Sequence, residues 1–137
     1  MKIVVDSNVI FSALIRDSTT RRQILECDNM LLFPVYIFEE LEKHKDELMS
    51  KSRMEKEDFD ALLHLLLSKM IIVPTTSLKP HKEEAVSIIR NIDMDDAVFI
   101  ACALAYPGSI IWSDDKKLKL QQRIRVFNSS EIKEVLR

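Results

Sequence analysis

Five short apolar runs fix the frame of this chain. They lie at residues 2–5, 30–34, 71–74, 109–112 and 124–127. A strand with one solvated face alternates polar and apolar residues, whereas a continuous apolar run suits a strand buried on both faces. The intervals between most of these runs carry helical periodicity and are long enough for crossover connections. Short buried strands separated by helices predict an α/β fold with a parallel sheet covered on both sides. With right-handed crossovers, this is a three-layer α/β/α sandwich with a central parallel sheet of about five strands.

The helices follow from spacing. Residues 9–15 form a short one, and Thr19 or Thr20 caps the next, which carries Ile24 and Leu25. Residues 36–49 place Ile37, Leu41 and Leu48 on one face. Ser52-Arg53-Met54-Glu55 fits a capping box for a helix with Phe59, Leu62, Leu63, Leu66, Leu67 and Met70. Two further helices carry Ala85, Ile88, Ile89 and Ile92, then Ala97, Ile100, Ala101 and Leu104; Pro107-Gly108 stops the second. Ser129 or Ser130 is expected to cap a last helix with Ile132, Val135 and Leu136. No repeat or interior linker interrupts this series, so residues 1–137 are expected to form a single domain.

Composition removes several function classes. Gly108 is the only glycine, so neither a P-loop nor a dinucleotide-binding fingerprint can be present. Cys27 and Cys102 are far apart and fit a reducing compartment, and His44, His64 and His81 lack paired-ligand spacing. Zinc chemistry is therefore not expected. No apolar run approaches the ~18 residues of a bilayer span, and Asp6 arrives too early for a signal peptide. A cytoplasmic protein without a membrane partner is the expectation. The formal charge of −2 does not announce a nucleic-acid binder, although a local basic patch can serve one.

The chemistry concentrates where strands end. Ligands of open α/β sheets bind beyond the carboxyl ends of the strands, where strand order reverses. Asp6 closes the first strand, and Asp114 and Asp115 follow the fourth after Ser113. Glu39 and Glu40 lie early in the helix after strand two, and Asp93, Asp95 and Asp96 precede the helix before strand four. Each acid has an ordinary structural use as a turn former, an N-cap or a solvated helix residue. Together they raise one another's pKa and call for a neutralising cation. An oxygen-only ligand set favours Mg²⁺ or Mn²⁺. At ~100° per residue, Glu40 flanks the apolar face centred on Ile37 and Leu41, whereas Glu39 lies nearly opposite.

With these residues in view, the chain resembles a PIN domain over its whole length. The resemblance rests on Asp6-Ser7-Asn8, Glu39-Glu40-Leu41, Asp95-Asp96-Ala97 and Trp112-Ser113-Asp114-Asp115, in that order and on the matching elements. The family usually opens with Asp-Thr-Asn, and Ser7 keeps the hydroxyl. Its late motif is usually Thr-Asn-Asp, so Ser113-Asp114-Asp115 gives the acid to Asp115. Its middle acid directly precedes a small residue, which selects Asp96, and its glutamate precedes a leucine, which selects Glu40. The doubled acids leave Glu39 and Asp114 as alternates.

The resemblance implies a metal-dependent nuclease fold, closest to compact prokaryotic PIN proteins such as VapC-type toxins. Asp6, Glu40, Asp96 and Asp115 are then the catalytic metal ligands, directly or through water, with Asn8 and Ser113 orienting Asp6 and Asp115. Lys116 and Lys117 are the first choice for holding substrate phosphates, among other candidates that include Arg21, Arg22, Lys43, Lys45 and Lys119. The reading is a Mg²⁺- or Mn²⁺-dependent endoribonuclease acting on single-stranded or loop RNA, with an antitoxin protein and a second copy of the chain as further partners. The competing readings are a non-catalytic RNA-binding PIN domain, and a haloacid-dehalogenase-like or receiver-type phosphoryl-transfer domain. Asn8, standing where a dehalogenase needs its second aspartate, weighs against the latter.

Overall fold

The computed structural model describes residues Met1–Arg137. Five parallel strands, β1 (Lys2–Val5), β2 (Met30–Pro34), β3 (Met70–Val73), β4 (Ile110–Trp112) and β5 (Val126–Phe127), form one sheet in the order β3-β2-β1-β4-β5. β1 is the central strand, between β2 and β4. Ile3, Val4 and Val5 are fully buried, paired with β2 on one side and β4 on the other.

Helices α1 (Ser7–Ile15), α2 (Thr19–Glu26), α3 (Ile37–Ser52) and α4 (Lys56–Ser68) pack among themselves along the crossovers from β1 to β2 to β3. Helices α5 (Thr75–Leu78), α6 (Lys82–Ile89) and α7 (Ala97–Ala105) return the chain from β3 to β4, and α7 packs on β1 and β2. The return skips past β1, so strand order reverses between β1 and β4. Right-handed crossovers put the outgoing and returning helices on opposite faces of the sheet. The result is the three-layer α/β/α architecture that the alternation of runs predicts. Its core includes Trp112, Phe33, Phe59, Ile10 and Leu14.

Several element ends differ from the sequence expectation, each for a local reason. Ser18, not Thr19 or Thr20, caps α2, accepting from the Arg21 N–H. Ser52 closes α3 and does not open α4: its hydroxyl donates to the Met49 carbonyl at 2.8 Å and accepts from the Met54 N–H. With no glycine there, Arg53 takes the left-handed conformation that ends the helix. Glu55 then precedes α4 without a side-chain capping bond. At the far end, Asn128 and Glu131 exchange two side-chain-to-backbone bonds, a reciprocal cap that displaces Ser129 and Ser130 from that role. The expected last helix is only a 3₁₀ turn, Ile132–Glu134. Gly108 serves the turn after α7, where the Ser109 N–H bonds the Tyr106 carbonyl and φ at Gly108 is +84°.

Candidate active site

Four segments bring carboxylates to the carboxyl end of the sheet. The strand β1 stops at Asp6, and the backbone turns there into α1. Asp6 caps that helix, one oxygen accepting from the Asn8 N–H. Its other oxygen accepts from the Ser113 hydroxyl at 2.6 Å. Ser113, just beyond β4, also accepts from the Asp115 N–H at 3.0 Å. One buried hydroxyl thereby sets the position of two acids on neighbouring strand ends. Asn8 acts on Asp6 through its main chain; its own side chain is exposed.

The third acid comes from the start of α7. Asp93 caps the 3₁₀ turn Met94–Asp96 by accepting from the Asp95 N–H, and the turn delivers Asp96 inward while Asp95 stays exposed. Oxygens of Asp93, Asp96 and Asp115 lie within 4.8 Å of one another. The inclusion of Asp93 was not singled out by the sequence, because an N-cap has a sufficient structural use of its own.

Electrostatics mark this cluster as unneutralised. Burial, reinforced by the negative charges of Asp6, Asp115 and Asp93, pushes the Asp96 carboxyl up to about 7. Asp96 Oδ2 is buried with no hydrogen-bond partner. Burial also raises the Asp6 carboxyl above its usual range; the Ser113 and Asn8 hydrogen bonds oppose that rise and the Asp115 charge adds to it. A buried carboxylate oxygen without a donor is costly to desolvate unless a proton or cation meets it. An all-oxygen set with one such orphaned atom fits a hard divalent ion.

Glu40 faces the same cleft from α3 but is otherwise placed. It accepts a hydrogen bond from the Tyr36 hydroxyl, and His44 Nε2 stands 3.5 Å from its second oxygen. The phenol of Tyr36 is pushed up to about 12, chiefly because Glu40 holds its proton. Glu39, the alternate, is exposed and outside this cleft. Asp114 turns to the loop after β5, where it accepts from both the N–H and the hydroxyl of Ser129 at 2.7 Å. Lys116 lines a recess of about 400 Å³ beside Asp115, and the Lys117 N–H donates to Asp115 Oδ1. Tyr36 and Arg16, also on the cleft wall, are not among the residues expected from sequence. The four-residue spacing from Tyr36 to Glu40 was the available signal for the first.

A doubly covered parallel sheet with an acidic, oxygen-only cluster at its switch point defines a class of α/β protein whose strand ends could hold a hard divalent ion. The model of the PIN domain family matches residues 4–123, and the chain belongs to that family. PIN domains are generally nucleases, and generally use a divalent metal. The chain is similar in fold to a solved structure of VapBC2 from Rickettsia felis bound to a DNA fragment from their promoter. The TM-score is 0.69 at 17% identity, covering 93% of this chain and 98% of that one. Among curated proteins, a search returns no significant match. No helix is long and apolar enough to cross a membrane.

Proposed function

We propose that this protein is a Mg²⁺- or Mn²⁺-dependent endoribonuclease that hydrolyses phosphodiester bonds of single-stranded or loop RNA. The observation that carries the reading is the cluster of Asp93, Asp96 and Asp115 around the unpartnered Asp96 oxygen, with Asp6 tied to the Asp115 backbone through Ser113. In this reading Asp6, Asp96, Asp115 and Glu40 hold the ion, with Asp93 within reach of the same position. When bound, the ion supplies charge neutralisation at the phosphate and activation of a water. The chain's own residues keep the acids in register: Ser113 holds Asp6 and the Asp115 backbone, and the Asn8 N–H holds the second oxygen of Asp6. Tyr36 and His44 orient Glu40. Ser113 is buried with its hydroxyl donated to Asp6, and no cysteine or histidine stands in the cluster as a nucleophile, which fits attack by water and a product with a 5′ phosphate. Lys116 and Lys117 are assigned to substrate phosphates near Asp115.

The VapBC neighbour supports a narrower version, in which the chain is the toxin of a toxin–antitoxin pair. It would then act in the cytoplasm, with an antitoxin and a second copy as protein partners. Exposed Phe38, Leu65 and Ile71 offer apolar surface for such contacts. The test is cleavage of labelled RNA with and without Mn²⁺, comparing single strands, hairpins and duplexes. Metal-dependent cuts in unpaired regions bearing 5′ phosphates support the reading. Binding without cleavage points to the non-catalytic alternative, and 2′,3′-cyclic ends would exclude hydrolysis by water.

A further inference from the structure

The cleft that takes in Asp6, Asp96 and Glu40 has a volume of about 720 Å³, more than a few carboxylates around a cation require. Its outer part continues as a groove between α1 and α3, walled by Phe11 and Ile15 on one side and His44 and Leu48 on the other. On α3 the cleft positions Glu40, Lys43, His44, Glu47 and Lys51 recur at three- and four-residue spacing and so share one face. From Asp6 to Arg16 the groove follows α1 for about 15 Å at the helical rise. Charge shifts along that length: Asp6, Glu40 and Asp96 at the head, Lys43 midway, and Arg16 toward the end beside Glu47 and Lys51, which pair with each other.

The cations of this region differ in availability. Lys51 is paired with Glu47 at 2.8 Å, Lys45 with Asp60 and Arg22 with Asp17. Arg21 bonds the carbonyls of Ala13 and Leu14 at the end of α1. Arg16 and Lys43 line the groove, are exposed and enter no ion pair. Between them the Phe11 and His44 rings stand 5.6 Å apart, tilted by 59°.

We propose that the α1–α3 groove is the track for one arm of the substrate strand, with Arg16 and Lys43 holding its phosphates and the Phe11–His44 wall receiving an unpaired base. The proposal rests on the nuclease reading and adds what that reading lacks, a path away from the acids. Free cations spaced along a groove match the repeated charge of a nucleic-acid backbone. An aromatic wall is useful to a base that is not already stacked in a duplex. Lys116, beside Asp115, would meet the other arm.

The test is equilibrium binding of labelled single-stranded RNA across a salt series, with steady-state cleavage in Mn²⁺ alongside it. Arg16→Gln/Lys43→Gln is compared with Lys2→Gln/Lys69→Gln, which removes the same charge at the amino ends of β1 and β3. The groove variant should raise Kd and KM about tenfold, change kcat far less, and lower the slope of log affinity against log salt by about 1.4, at ~0.7 per single-strand phosphate. The control should move none of these. Thermal melts confirm that both variants fold, since all four positions are exposed. A groove variant indistinguishable from the control, or a wild-type protein that binds no single strand at low salt, overturns the track. If RNA is cut normally while the slope stays put, the groove belongs to a protein segment and the nuclease reading survives. If the slope falls but nothing is cut, the nuclease reading fails and the track stands.

Discussion

Asp6 and Asp96 at the β1–β4 junction and Glu40 on α3 line one cleft, with Asp115 in the adjoining recess, yet the junction acids and Glu40 are held in opposite ways. Asp6, Asp96 and Asp115 sit on strand ends and a short turn, surrounded by more negative charge, and Asp96 keeps an oxygen with no donor. Glu40 sits on a helix with Tyr36 and His44 already at its oxygens. The junction carries unneutralised negative charge, whereas Glu40 has hydrogen-bonding partners on its own segment. Under the proposed function this difference implies a division of labour, in which the strand-end acids would dominate ion affinity and α3 would tune it.

The comparison breaks first at the junction. Asp6→Asn/Asp96→Asn should reduce cleavage by about 100-fold or more, in line with losses on removing one preorganised electrostatic group. Mn²⁺ should raise the Tm of the wild type, since a ligand of the folded state alone stabilises it, and the double variant should lose that shift. A shift that survives means that the ion binds elsewhere. Glu40→Gln should also cost most of the cleavage but leave much of the Mn²⁺-induced shift, while Glu39→Gln should change neither by more than a few-fold. Equal shifts lost at Glu40 and at the junction would erase the division proposed between them.

Metal-free stability sharpens the contrast through pH. The Asp96 carboxyl stands at about 7 in the folded chain, against about 3.9 in an unfolded one. The folded state then holds this proton more tightly, so its stabilising effect is complete below about pH 4 and is lost as pH rises through about 7. Asp6, also raised, acts in the same direction. The expected loss in EDTA is on the order of 2–4 kcal/mol over that window, seen as a falling Tm. Asp96→Asn should flatten most of it, and saturating Mn²⁺ should oppose it. A Tm that rises steadily from pH 4 to 7 in EDTA would show that the cluster is not strained.

What the sequence revealed of all this depended on whether a signal was local or assembled. The strands were legible because burial on both faces demands unbroken apolar runs, as in Ile3-Val4-Val5. The meeting of Asp6 with Asp115 was legible because strand order in such folds reverses beside the first strand. The caps were less so: Ser52 satisfies the capping-box pattern, but with no glycine near, its hydroxyl went to closing α3. Asp93 and Arg16 gave no periodic or motif signal, since a cap and a helix-end arginine look alike in any helix. The phase that favoured Glu40 over Glu39 is a local property of one helix, whereas the choice between Asp114 and Asp115 was not available from spacing alone.

The smallest effect tests that last choice. Asp114 accepts two bonds from Ser129, and the Ser129 hydroxyl in turn accepts from the Trp112 indole N–H at 3.0 Å. This chain of bonds ties the end of β4 to the loop that follows β5. Asparagine keeps one acceptor atom, so Asp114→Asn retains one of the two bonds and leaves an amide where the other was made. Because the site is exposed, the loss should be only about 1 kcal/mol, read as a lower midpoint in urea with an unchanged m-value. Ser129→Ala should cost more, because it also leaves the buried Trp112 indole N–H without its acceptor, and the double variant should cost less than the sum, since the two share one contact. Cleavage by Asp114→Asn should stay within a few-fold of wild type, because its carboxylate is occupied away from Asp96. Asp115→Asn is the matched opposite: it removes repulsion at Asp96 and Asp6, so it should not lower the midpoint, and it should lose cleavage. Should Asp114→Asn abolish cleavage while Asp115→Asn retains it, the acid of the late motif has been placed one residue too far along the chain.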